Sequence, residues 1–338
     1  MTTRSHRLAI LILGFCCICW GFSFPTMQIG AAAVSRALRA STDAPISELA
    51  IRGTFNGCRF ALAGLICLAL TPRRFTRITR PDLTGGLAVG AFFGGGMLLQ
   101  VYGLRYALPS VSSFLTALSV VFAPITQSLL FRRPVGSRVW LSIAIAMAGM
   151  IILSAGGAQS SAQGALIQPS PIPYLGEILT ILGASLFTAQ ILAVDHFGQR
   201  ADPSRLTTVM LLTAGALNLA IGLSTGGTIL LRSQTLHLLL HDSSFLWPFT
   251  GLVLLSSVLA LKLMNAWQPR ITPATATVVY CLEPVFGTLF SIAFQTESLT
   301  PKTTLGGAII LAAVLTLART PSSSTMVTSI SVPNIPIE

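Results

Sequence analysis

Between Arg7 and Arg36 the chain runs for 28 residues without a charge, and the intervals Asp82–Arg105, Arg105–Arg132 and Arg205–Arg232 run for 22, 26 and 26. A helix needs about 20 mostly apolar residues to cross the hydrocarbon core of a bilayer, so each interval is long enough to span it once. These stretches are continuously apolar and do not alternate in the short segments of barrel strands, so they read as helices. Composition agrees: 52% of the 338 residues are hydrophobic, 9% are charged and mean hydropathy is +0.76. An ordinary soluble domain carries roughly 25% charged residues. A soluble enzyme, a disordered chain and a nucleic-acid-binding domain are thereby excluded.

Extending the reading to less clean stretches predicts ten spans, at 8–30, 49–71, 83–104, 108–131, 139–155, 174–194, 206–228, 244–265, 273–295 and 303–318. Compact basic turns with proline separate several of them, PRRFTRITRPD at 72–82 and RRPVGSR at 132–138. Residues 156–173, rich in Gly, Ser, Pro and Gln, read as a linker between halves, and 320–338 as a disordered tail. The first apolar stretch exceeds the roughly 7–15 residues of a signal-peptide core, so it reads as a mature helix.

Basic residues sort by loop. Thirteen fall on one predicted face: Arg4, Arg7, the arginines of 72–82 and 132–138, Arg200, Arg205, Arg270 and Arg319. Five fall on the other face (Arg36, Arg39, Arg105, Arg232, Lys302), and Arg52, Arg59 and Lys262 fall within spans. By the positive-inside rule the expected topology puts both termini in the cytoplasm. The formal charge of +11 is therefore mainly an orientation signal.

Residues 109–155 lie over 273–319 at a fixed offset of 164 without gaps. Pro109 meets Pro273, Val121-Phe122 meets Val285-Phe286, Leu141 meets Leu305 and Leu153 meets Leu317. A unit of five spans is odd, so its second copy must sit upside down. The turn after the fourth span is basic (Arg132, Arg133, Arg138), while the one after the ninth, with Glu297 and Lys302, is neutral. The expected fold is an all-α membrane protein of ten transmembrane helices in two inverted five-helix repeats, 8–155 and 174–319. That architecture points to a transporter with a site near the midplane.

At these residues the chain resembles the EamA family of the drug/metabolite transporter superfamily. The resemblance rests on Trp20-Gly21-Phe22-Ser23-Phe24, Cys58-Arg59-Phe60-Ala61-Leu62-Ala63-Gly64, the run Phe114–Phe122, and Leu282-Glu283-Pro284-Val285-Phe286 followed by Thr296-Glu297-Ser298-Leu299-Thr300-Pro301. Thr296 departs from a Gly-Glu pair usual in the family, and Arg133 occupies the glutamate position in the first half. The resemblance covers roughly 8–319 and implies an inverted-repeat carrier of small metabolites such as amino acids or drug-like compounds.

Charges inside a span cost about 2.5–3.5 kcal/mol on insertion scales and normally face the bundle interior or water. Arg59, Lys262 and Glu283 are therefore candidates for a substrate pathway, with Glu283 as a proton or cation site. The alternatives are an internal pairing of Glu283 with Arg59 or Lys262, and snorkelling of the two cations. Trp20 and Gln100 join the pathway candidates, and Gln28, Tyr102, Gln190 and Tyr280 can equally supply hydrogen bonds between helices. Pro25, Pro124 and Pro284 are hinge candidates, since each removes a backbone hydrogen bond inside a span. Gly94-Gly95-Gly96 and Gly306-Gly307 permit close helix packing.

Other chemistry finds no footing. Cys16-Cys17-Ile18-Cys19 lies mid-span without the second pair a zinc site needs, and Cys58, Cys67 and Cys281 also read as small packing residues. His6 is in the N-terminal tail, and His196, His237 and His241 are expected in loops. No H-E-x-x-H and no phosphate-binding loop occurs. The sequence therefore predicts no catalytic residues, metal or cofactor. It predicts a small-molecule substrate, a lipid bilayer around the chain, no nucleic acid, a proton as candidate coupling ion, and a monomer or homodimer in a bacterial plasma membrane. A membrane-embedded enzyme and a non-transporting scaffold are the competing readings.

Overall fold

The computed structural model describes residues 3–41, 46–103, 106, 115–130, 132, 134–157, 172–294 and 299–318. Most of the expected linker (158–171), the expected tail, Arg105, Arg133, the Thr296-Glu297 turn and the start of the Phe114–Phe122 run lie outside the described residues, as does the Gln28 side chain.

The described residues are helical throughout, without strands, and form a multi-pass membrane protein. In chain order the helices are α1 (Thr3–Ser41), α2 (Glu48–Leu70), α3 (Arg80–Gly103), α4 (Ser119–Leu130), α5 (Ser137–Gly157), α6 (Leu175–Gly198) and α7 (Pro203–Ser224). They continue with α8 (Ser233–His241), α9 (Ser243–Arg270), α10 (Pro273–Tyr280), α11 (Leu282–Ala293) and α12 (Pro301–Ala318). Eight helical stretches are long and apolar enough to cross a membrane, and α10 with α11 counts as one of them. Two shorter apolar helices, Ser119–Leu129 and Pro301–Leu317, stand where the fourth and tenth spans are expected.

Helix starts follow from local chemistry. Ser47 caps α2 by accepting from the Ala50 N–H at 3.1 Å, and Asp202 caps α7 by accepting from Ser204 N at 3.0 Å and Arg205 N at 3.1 Å. Asp242 caps α9 through Ser244 N at 2.8 Å, and Thr272 caps α10 through Thr275 N at 3.2 Å. In each case a side-chain oxygen satisfies an N–H that the first turn leaves without an intrahelical partner.

Two expectations are corrected. The first span extends well beyond 8–30: α1 is 39 residues, about 58 Å at 1.5 Å per residue. Arg36 ends the apolar run but not the helix, because AAAVSRALRAS is composed mainly of good helix formers. The ninth span stands where expected, over Pro273–Ala293, and it is interrupted next to the hinge candidate Pro284, since α10 stops at Tyr280 and α11 starts at Leu282. His237 and His241 lie on α8 and His196 in the last turn of α6, so none of the three is in a loop. Nine residues of short amphipathic helix between spans are too few for a periodic signal to stand out.

Packing is pairwise and close. α2 lies along α7, α3 against both α6 and α7, and α5 against α12. α1 packs on α9 and α11, α2 also touches the middle of α9, and α4 contacts α6 and α10. Small residues set the separations, as is usual where lipid supplies no hydrophobic drive between helices. A Cβ added at Gly306 would sit 2.5 Å from Leu153 N and 2.6 Å from Gly149 O, so α5 and α12 meet backbone to backbone. Asn218 clasps α7 to α3, donating to Gly94 O at 3.1 Å and to Ala214 O at 2.9 Å.

Each end of the bundle carries a polar tie. Asp82, fully buried, accepts from Thr79 N and Oγ1 at 2.8 and 2.7 Å and from Asp202 N at 2.7 Å, and it pairs with Arg205 at 3.2 Å. Arg205 also donates to the Arg77 carbonyl. At the opposite end Arg36 pairs with Asp242 at 3.1 Å. The Ser244 hydroxyl and Arg36 together hold the Asp242 carboxyl below its ordinary range.

Replacing Gly306 by Leu forces the α5–α12 seam apart, an overpacking of about 1–3 kcal/mol or more. The expected result is a melting temperature several degrees lower in detergent, with loss of the monodisperse size-exclusion peak, whereas Leu305→Ala on the exposed side of the same turn leaves both unchanged.

Candidate intramembrane functional site

The chemistry of the interior gathers where α1, α2, α9 and α10–α11 meet. Its organising element is residues Leu252–Leu259 of α9, which wind as a π-helix. The Ser257 hydroxyl donates to Leu252 O, five residues back, at 3.0 Å. A π turn widens the helix and is found preferentially at functional positions. Here it presents two adjacent hydroxyls to α2.

Arg59 of α2 inserts against them. Its Nε donates to Ser257 Oγ at 2.9 Å, Nη2 to Ser256 Oγ at 2.8 Å, and Nη1 approaches Met27 Sδ at 3.7 Å. The residue is 3% exposed. No described carboxylate lies within 4 Å of it, so the guanidinium is held by neutral acceptors alone. Planarity and weak hydration let Arg tolerate this where a Lys ammonium would not reach both hydroxyls.

The same π segment receives α1. Trp20 Nε1 donates to Ser256 O at 3.2 Å, and the indole sits edge-on to Tyr280 with ring centroids 5.5 Å apart. Tyr280 OH donates to Gln268 Oε1 at 2.8 Å, and Gln268 Nε2 donates to Ile191 O at 2.7 Å. A chain of contacts thus runs from Arg59 through Ser256, Trp20, Tyr280 and Gln268 to α6, hydrogen-bonded except at the edge-on Trp20–Tyr280 step. Gly21 sets its geometry, because a Cβ there would fall 2.5 Å from Phe286 Cβ and 2.7 Å from Gly287 N. Only a hydrogen at that position lets α1 lie on α11.

Glu283 follows directly. The Cys281 N–H bonds back to Val278 O at 3.2 Å, an i→i−3 contact that closes α10, and Pro284 brings no N–H to the start of α11. Glu283 therefore occupies the first turn of a half-helix, at the positive end of its dipole. Its side chain is half-buried and has no hydrogen bond or ion pair among the described residues. Cys17, Tyr280 and Cys281 lie within electrostatic reach of it. Towards the far end of α11, Phe22 meets Phe290 and Phe294 at centroid distances of 5.7 and 6.1 Å, with Trp247 5.6 Å from Phe294.

Of the pathway candidates, Trp20 and Arg59 meet at Ser256, and Glu283 joins them through Tyr280. Arg59 and Glu283 are not paired. Lys262 is elsewhere: it lines an open groove with Leu70, Thr71, Pro72, Arg73 and Ser204 at the end of α2. Gln100 donates to Thr116 Oγ1 at 2.9 Å and ties α3 to the segment before α4. Among the hinge candidates Pro284 stands at a helix break, while Pro25 and Pro124 lie inside unbroken helices. Next to Pro25 the Thr26 hydroxyl donates to Phe22 O at 2.8 Å, an added bond of the kind that supports proline in membrane helices. Ser256, Ser257 and Gln268 were not singled out by sequence, since Ser256-Ser257 inside LVLLSSVL carries no mark of a π turn. Among the described residues no group of three His, Cys, Asp or Glu side chains is placed to hold a metal.

A model of the EamA-like transporter family matches the chain twice, over residues 7–155 and 174–319. The chain belongs to the EamA-like transporter family. It is thereby a membrane transporter of the drug/metabolite transporter type, and that membership points away from an enzyme. An uncharacterized transporter from Archaeoglobus fulgidus is 25% identical over 307 residues, covering 91% of this chain and 84% of its own length. A protein crystal structure aligns with a TM-score of 0.64 over 91% of this chain and 95% of its own, at 15% identity, a likeness of fold alone.

The buried guanidinium gives a stability test. Removing both hydroxyls in a Ser256→Ala/Ser257→Ala double variant leaves the charge stranded, and hydrogen bonds to charged groups contribute about 1.5–3 kcal/mol each. The double variant is expected to melt at a lower temperature in detergent than Arg59→Met, which removes the charge together with its need for partners.

Proposed function

We propose that this protein is a secondary transporter of a small polar or amphipathic metabolite, working by alternating access between two inverted five-helix units, 8–155 and 174–319. In this reading α4 and α12 are the fourth and tenth spans. The arrangement is supported by the most extensive helix contacts, which map onto one another when each span is exchanged for the one five places later. α2/α7 and α5/α12 map onto themselves, α3/α6 onto α9/α1, α3/α7 onto α9/α2, and α1/α11 onto α6/α4. Such exchange is what a twofold axis in the membrane plane produces. The basic-residue asymmetry favours cytoplasmic termini in a bacterial plasma membrane.

One observation carries the functional reading: Glu283 is a half-buried carboxylate, without a hydrogen bond or ion pair among the described residues, at the broken helix of the interior. An intramembrane acid of this kind is free to take a proton or a cationic group of the substrate. Trp20 and Tyr280 form the adjoining wall, Pro284 supplies the bend, and the Phe22, Phe290 and Phe294 rings act as the barrier on one side. Arg59 shapes this wall through the π segment. In this reading Lys262 lies outside the pathway, in the groove at the end of α2.

Counterflow into proteoliposomes, screened with amino acids, nucleosides and amphipathic cations, is expected to show substrate-dependent flux; no flux across the panel would sink the carrier reading. With a substrate in hand, Glu283→Gln is expected to lower uptake roughly tenfold or more and to flatten its pH dependence. Unchanged rate and profile would remove Glu283 from the mechanism.

Sidedness tests the inverted arrangement separately. Single cysteines introduced at Thr76 and at Ser160, in a background lacking the native thiols, are expected to label from opposite faces with a membrane-impermeant maleimide. Labelling from the same face overturns the inversion.

A further inference from the structure

Lys262, which the transport pathway does not use, lines a groove of about 660 Å³ together with Leu70, Thr71, Pro72, Arg73 and Ser204. The size lies within the roughly 300–1,000 Å³ typical of small-ligand sites. Three segments remote in sequence build it: the end of α2, the start of α7 and the middle of α9. Two cations face it, and neither Lys262 nor the Arg73 side chain has a hydrogen bond or ion pair among the described residues. The nearby acids are already committed. Asp82 is filled by Thr79, Asp202 N and Arg205, and Asp202 caps α7. The Thr71 hydroxyl is used as a donor to Cys67 O at 2.9 Å, and Pro72 has no N–H, so the charge in the groove is unbalanced. One wall is apolar and open, with Leu70 64% exposed.

We propose that this groove binds a phosphate group, and that its source is the headgroup of an anionic phospholipid in the leaflet on this face. Arg73 offers a fork suited to two phosphate oxygens and Lys262 a point charge. Leu70 lies where the first acyl carbons would run. Basic pockets between helices near a membrane surface recognise lipid headgroups in this way. A phosphate held by both cations would join a residue at the end of α2 to one in α9, and so fasten the first half of the chain to the second on the Arg205 face. Lipid composition would then bias which conformation the protein rests in.

The test uses the purified full-length protein in neutral detergent, with binding followed by native mass spectrometry and melting temperature. Phosphatidylglycerol is expected to bind and raise the melting temperature, whereas phosphatidylcholine does neither. Lys262→Gln and Arg73→Gln should each weaken phosphatidylglycerol binding roughly fivefold, and the pair roughly 25-fold, as loss of one or two surface-level cations requires. Arg138→Gln, a basic residue away from the groove, should bind as the unaltered protein does. Arg73 is exposed, so its variant folds even if Lys262→Gln does not. Equal binding of the two lipids, or unchanged phosphatidylglycerol binding in the double variant, overturns the proposal. Protection by millimolar inorganic phosphate alone, lost in the variants, overturns the lipid as the source.

Discussion

A guanidinium enclosed in an apolar bundle must be met by oxygen, and the way Arg59 is met organises the interior of this protein. Without a carboxylate at hand, the hydroxyls of Ser256 and Ser257 do the work, and both can face α2 because α9 is wound there as a π-helix. The widened turn also leaves the Ser256 carbonyl for Trp20. Trp20 in turn fixes Tyr280, and Tyr280 stands immediately before the helix break that presents Glu283. The distortion in α9 and the break between α10 and α11 are thus linked through Trp20, which is hydrogen-bonded to the first and stacked edge-on against the residue that ends α10. Irregular backbone is tolerated at membrane depth only where protein surrounds it, and here α1, α2 and α6 provide that surrounding.

The packing that makes this possible is close and mostly free of charge. Glycine positions on α1, α2, α3, α5, α7 and α12 bring helix backbones together, while the polar ties Asp82–Arg205 and Arg36–Asp242 sit at opposite ends. Both ties join the first half of the chain to the second. Motion of one proposed unit against the other would have to break one tie or the other, which fits a carrier that opens to one side at a time.

Much of the architecture is legible in the chain because the bilayer imposes a length rule. The charge-free intervals mark the helices, and Pro284, read from the sequence as a hinge, marks the disturbance in the ninth span. Other features leave no trace. Arg36 stops the apolar run without stopping α1, so charge gives the edge of the hydrocarbon and not the end of the helix. The nine residues of α8 are too short to separate from a loop. Lys262 illustrates a different limit: periodicity says that a lysine lies within a span, but its depth and direction depend on tilt and on which neighbour the face meets. The groove beside Arg73 is therefore visible only in three dimensions.

The sequence by itself determined that this chain lives in a membrane, that it crosses it as apolar helices, and where its charge asymmetry lies, because those properties follow from each segment's own transfer energy. Family membership in the EamA-like transporters was also carried in its motifs. The tertiary structure decided which of the intramembrane charges share a site. Arg59 and Glu283 lie in one region, on either side of the Trp20–Tyr280 contact, and Lys262 lines a groove elsewhere, since residues far apart in sequence become neighbours only through packing. It also decided that Ser256 and Ser257 matter, because their hydroxyls meet Arg59 only where α9 packs on α2 and is wound as a π-helix.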